Sequence, residues 1–195
     1  RYAGSADALS RAGETPLASF AELAERRHLP ASTPEGLATK KAFVRLAARR
    51  YFEATTAAVR AADPHHMLLG CRFAGGIASE VVLEEAGRHC EAVAFNYYGH
   101  VNLEHGVAMN HRNPWLGPTF REVLEGFFHM TRRPLLLTEW SFPALESGLP
   151  CTRGAGQRFR STRERVQATS IYAEDMLRCP WMIGYDYFMW VDEPA

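Results

Sequence analysis

Arg133-Pro134-Leu135-Leu136-Leu137-Thr138-Glu139-Trp140 sets a carboxylate and an indole at the end of an apolar run. Strands buried on both faces read as continuous hydrophobic runs, so Glu139 is expected at the C-terminal edge of a parallel strand. α/β barrels carry their chemistry at that edge. A carboxylate there can attack an electrophilic carbon or move a proton. The neighbouring aromatic can pack on the flat C–H face of a sugar ring, so the pairing suits glycosidic-bond cleavage. A second run, Gly184-Tyr185-Asp186-Tyr187-Phe188-Met189-Trp190, repeats the arrangement with Trp190 at its tip.

Other residues could serve the same chemistry. Asn96, Tyr97 and Tyr98 close the apolar run that begins at Glu91, and Arg72 closes the one that begins at Met67. A nucleophilic carboxylate must stay ionised, which a hydrogen-bonding tyrosine at position 97 or 98 favours. Arg72 either pairs with Glu139 or binds a sugar hydroxyl. Asn96 either bonds substrate or is an interior amide satisfied by a neighbouring strand. Trp140 and Trp190 read as stacking walls, although aromatics at strand ends also fill barrel cores.

The elements that must position these residues alternate regularly. A helix is expected from about Thr39 to Ala62, with Phe43, Leu46, Ala47, Ala54, Ala57 and Ala61 at helical spacing. A strand follows at Met67–Phe73, a helix at Ser79–His89 and a strand at Glu91–Tyr98. A long polar loop over 99–117 precedes a helix opened by Pro118, with Phe120, Val123, Leu124, Phe127 and Phe128 as its stripe. After the Glu139 strand, a loop over 141–160 leads to a helix opened by the capping box of Ser161 and Glu164. Val166, Thr169, Ala173, Met176 and Leu177 are expected to face inward, and Trp181–Trp190 forms the last strand. Strands alternating with helices imply parallel βαβ units. Both long loops follow strands, so they lie on the face where loops carry function.

Composition narrows the partners. Lys plus Arg and Asp plus Glu both number 22, so no basic field draws nucleic acid or an anionic membrane. No apolar run is long enough to span a bilayer. Cys71, Cys90, Cys151 and Cys179 show neither zinc-ligand nor disulfide spacing. His65-His66 and the loop histidines His100, His105 and His111 also lack ligand spacing, so neither metal nor cofactor is expected. Glu84-Glu85 reads as a solvated helix face. The 195 residues fall short of the roughly 250 usual for a complete (β/α)8 barrel. With Arg1 at the start and a strand close to the end, the sequence reads as a segment of a longer chain.

Taken together, strands tipped by Arg72, Asn96-Tyr97-Tyr98, Thr138-Glu139-Trp140 and Trp190 resemble the second half of a retaining glycoside hydrolase barrel. The pieces Asp63-Pro64-His65-His66, Leu69-Gly70-Cys71-Arg72-Phe73-Ala74, Phe95-Asn96-Tyr97-Tyr98, Glu139-Trp140-Ser141-Phe142-Pro143-Ala144-Leu145 and Tyr187-Phe188-Met189-Trp190-Val191-Asp192-Glu193-Pro194 are similar to those of β-agarases and β-galactosidase-like relatives. The resemblance covers about residues 39–195. It implies an α/β fold, a partial (β/α)8 TIM barrel of strands five to eight. On this reading 1–195 is the C-terminal part of the catalytic domain, and 1–38 is an irregular, loop-and-helix region before strand five.

The resemblance further implies that Glu139 is the nucleophile, that Tyr97 or Tyr98 stands beside it, and that Trp190 floors the sugar subsite. The implied activity is hydrolysis of O-glycosidic bonds in a poly- or oligosaccharide by double displacement, without cofactor. A secreted or periplasmic location fits a polysaccharide-degrading enzyme. The family's acid/base Glu, usually preceded by Asn, has no counterpart, because no Asn-Glu pair occurs here. That residue, and the N-terminal half of the barrel, are expected outside this chain. The alternative is a catalytically inactive, carbohydrate-binding barrel homologue.

Overall fold

A computed structural model describes residues 2–26, 33–75, 78–151, 154–189 and 191. The chain divides into two compact units, 1–50 and 51–195. In the first, α1 (Ala6–Gly13) is capped by the Ser5 hydroxyl, which accepts the Ala8 N–H, and buries Leu9 and Ala12. A short α2 (Glu22–Glu25) follows. The long α3 (Pro34–Ala62) begins here and runs into the second unit. It starts five residues earlier than expected, because Thr33 accepts the Gly36 N–H at 2.9 Å and Pro34 takes the first turn. The stripe expected to face inward is exposed at Phe43, Leu46, Ala47, Ala54, Ala57 and Ala61; the buried hydrophobic positions of the helix are Ala48 and Phe52.

The second unit is built on a four-stranded parallel sheet: β1 (Phe73–Ala74), β2 (Val93–Asn96), β5 (Leu135–Glu139) and β6 (Met182–Tyr185), neighbours in that order. The crossovers carry α4 (Glu80–His89), α5 (Phe120–Thr131) and α6 (Thr162–Leu177). The α/β character and the helix–strand alternation are as expected. The expected capping box of Ser161 with Glu164 forms on α6, and a second, Thr119 with Glu122, forms on α5. Thr119 therefore caps α5, and Pro118 lies just before it rather than within its first turn.

The core lies where helices meet sheet. Phe95, Leu135 and Leu137 from the strands pack with Phe120, Val123, Leu124 and Phe127 of α5 and Leu83 and Ala86 of α4. Burying each large apolar side chain contributes roughly 1.5–3 kcal/mol. Helices α4 and α5 approach so closely that a Cβ at Gly87 meets the Thr131 carbonyl oxygen at 1.9 Å, so only glycine fits there.

Several expectations are corrected. The Met67–Phe73 strand shortens to Phe73–Ala74, because Gly70 sits at φ +70 and breaks the extended run. The segment still follows β2, since Leu68 O accepts from Glu91 N at 3.0 Å. The 99–117 loop contains an antiparallel hairpin, β3 (His100–Asn102) with β4 (Val107–Met109), turning through Gly106 at φ +62. On α6, Val166 and Leu177 are exposed, and the buried positions are Ala168, Tyr172 and Met176. Glu85 is no solvated residue: it is fully buried on α4 and ion-paired to Arg88.

Candidate active site

The bonding between β2 and β5 brings Asn96 level with Glu139, the last residue of each strand, through a register shift after Phe95. Two hydrogen-bond donors and a guanidinium converge on the Glu139 carboxylate. Asn96 Nδ2 donates to Oε2 at 2.7 Å, Tyr98 Oη donates to Oε1 at 2.7 Å, and the Arg72 guanidinium lies 3.3 Å from Oε2. Hydrogen bonds to a charged acceptor are about twice as strong as neutral ones. A carboxylate offers roughly four lone-pair sites, so this arrangement fixes the group and still leaves it able to meet a ligand. Its side chain is 19% exposed and that of Arg72 54%, so the pair lies at the surface of the sheet edge rather than in the core.

The two tyrosines part company. Tyr97 points into the core: it is 1% exposed, stacks on Phe120 at 5.5 Å and donates to Asn110 Oδ1 at 2.6 Å. Burial raises its phenol pKa. Tyr98 is the residue beside the carboxylate. The turn that carries it is pinned from α6, where the buried Tyr172 hydroxyl donates to Tyr97 O at 2.9 Å and accepts Gly99 N–H at 3.2 Å. A Cβ at Gly99 meets the Tyr172 ring at 2.6 Å, so glycine is required for that approach.

Trp140 does not offer an open face. It is 1% exposed, with Tyr172, Phe142, Tyr185 and Tyr187 around its ring at 5.0 to 5.8 Å. Adjacent residues on a strand point to opposite sides, so a Glu139 turned to the site directs Trp140 into the packing. Trp190 lies outside the described residues. Beside Tyr98 a cleft of about 180 Å³ is walled by Phe142, Pro143, Tyr187 and Phe188 and reached by Arg165. Tyr98, which bonds Glu139, is the residue shared between this cleft and the carboxylate's partners.

Sequence reasoning missed Tyr172, and it named Thr138, Tyr187 and Phe188 within motifs without giving them a role. The spacing of Ala168, Tyr172 and Met176 carried the signal for the first, since positions four apart share a helix face. Thr138 Oγ1 lies 3.1 Å from Asn96 Oδ1 and 3.2 Å from Phe95 O.

Fold and site together define an α/β protein with a carboxylate, held by an amide, a phenol and a guanidinium, at the C-terminal ends of parallel strands. Solved agarase structures share the fold. The chain is similar to an agarase, AgWH50C, at a TM-score of 0.75 and 26% identity, over 96% of this chain and 24% of that one. It is similar to PfGH50B at a TM-score of 0.77 and 21% identity, over 99% of this chain and 25% of that one. An exo-beta-agarase gives 0.74 and 21%, over 96% and 23%. No family model matches the sequence, and no curated protein matches it. The agarase-type glycoside hydrolase resemblance read from the motifs thus holds, and the chain spans about a quarter of the length of these structures.

Proposed function

We propose that this chain supplies the C-terminal half of the (β/α)8 barrel of a retaining glycoside hydrolase acting on a β-linked galactan such as agarose, with Glu139 as its nucleophile. The observation that carries the reading is the convergence of Asn96, Tyr98 and Arg72 on a single carboxylate at the end of β5. One Glu139 oxygen attacks the anomeric carbon, the glycosidic C–O bond breaks, and a glycosyl ester forms. A second carboxyl group, about 5–5.5 Å away and supplied from outside this chain, protonates the leaving oxygen and then activates water. Tyr98 and Asn96 hold the carboxylate during attack, and Arg72 balances its charge. The cleft beside Tyr98 seats a sugar ring. Neither metal nor cofactor is needed for these steps.

The sheet supports the half-barrel reading. Among the described residues β1 and β6 each pair on one side only, and Ile183 and Tyr185 on β6 are exposed. In a closed barrel such edges find strands of the other half. Replacing Glu139 by Gln in the full-length protein removes the nucleophile while keeping its shape. Turnover of agar oligosaccharides is expected to fall by about 1,000-fold or more; wild-type turnover in that variant sinks the assignment.

A further inference from the structure

We propose that Thr138 is a positioning residue for the nucleophile, acting through the Asn96 amide; the inference rests on the reading of Glu139 given above. Thr138 precedes Glu139 on β5, yet its hydroxyl is aimed at the neighbouring strand. Oγ1 sits 3.1 Å from Asn96 Oδ1, and the other end of that amide donates to Glu139 Oε2 at 2.7 Å. The amide is planar, so anchoring its oxygen sets the direction of its N–H. Turned over, it would set one acceptor against another at hydrogen-bond distance from the carboxylate. The single hydroxyl hydrogen of Thr138 serves Asn96 Oδ1 and Phe95 O together, and it ties the amide to the backbone of β2. Relay residues of this kind hold reacting groups to within a fraction of an ångström, the tolerance that attack at an anomeric carbon demands.

Valine at this position keeps the shape of threonine and removes the donor; serine keeps the donor and removes a methyl group. In the full-length enzyme assayed on agar oligosaccharides, T138V is expected to lower kcat about 10-fold with KM changed less than about 2-fold. T138S is expected to restore kcat to within about 2-fold of wild type, a recovery that a packing role for the methyl group does not give. In a double-mutant cycle with N96A, T138V adds no further loss, because its effect passes through the amide. The cycle is read on kcat, and melting temperatures of all variants separate loss of fold from loss of positioning.

Three results overturn the role of Thr138: unchanged kcat in T138V, a T138S variant as slow as T138V, or additive losses with N96A. Each leaves Glu139 as nucleophile if E139Q is inactive. An active E139Q instead removes the reading on which Thr138 depends.

Discussion

Glu139 is held by three groups of different chemistry, and they divide the work. Arg72 supplies charge and is half exposed, so its attraction is screened. Asn96 and Tyr98 supply short neutral donors, one to each oxygen. Removing the phenol hydroxyl by Y98F deletes one such bond while the ring stays in the cleft wall. In the full-length enzyme kcat is expected to fall about 10-fold, more than KM rises, from loss of a donor to a charged acceptor; a Y98F variant with wild-type kcat would remove Tyr98 from the site. The types of these residues were legible in the sequence, and their directions were not. Tyr97 and Tyr98 are adjacent and chemically identical, and the register shift after Phe95 decides which one meets Glu139. Trp140 could have been placed by strand alternation alone, since its neighbour Glu139 claims the site face.

Elements bring those directions about. Capping signals and apolar runs fixed α5, α6, β2 and β5 to within a few residues, because local chemistry sets helix starts and buried strands. The β3–β4 hairpin escaped notice: its strands are only three residues each, and its pairing depends on Gly106 and on Gln157, whose amide bonds both the N–H and the carbonyl of Val101. The same hairpin region carries a pH-sensitive contact. His100 and His111 stack at 4.0 Å. Burial first, then the charges of His100 and Arg112, lowers the His111 pKa from 6.5 to about 4, and burial and Arg112 also lower that of His100. The unfolded chain therefore binds a proton at His111 that the folded chain refuses between those values. Stability from this source is complete above pH 6.5 and is lost as pH falls towards about 4. Thermal midpoints measured across that range should drop with acidity, and H111Q should flatten the drop; an identical slope in H111Q would show that the pair is not responsible.

At the scale of the whole molecule, the outer strands of the four-stranded sheet are β1 and β6 among the described residues. Each of them pairs on one side there, and Ile183 and Tyr185 on β6 are exposed, an edge that the proposed closed barrel would cover. The 195 residues alone are expected to associate or aggregate, as light scattering after size exclusion will show, and to lack glycosidase activity. A monodisperse monomer that cleaves agar oligosaccharides contradicts the half-barrel account. The strand–helix alternation made the barrel-like order legible in the sequence; the chain spans about a quarter of its structural relatives, and the proposed chemistry takes its second carboxylate from outside it. The direct test of that chemistry is rescue of E139A in the full-length enzyme with azide and an aryl β-galactoside. Removal of a nucleophile lets azide attack from its side of the ring, so the account predicts loss of about 1,000-fold in rate, recovery with azide, and an α-galactosyl azide product. A β-galactosyl azide would make Glu139 the acid/base, and undiminished turnover without azide would take it out of the reaction.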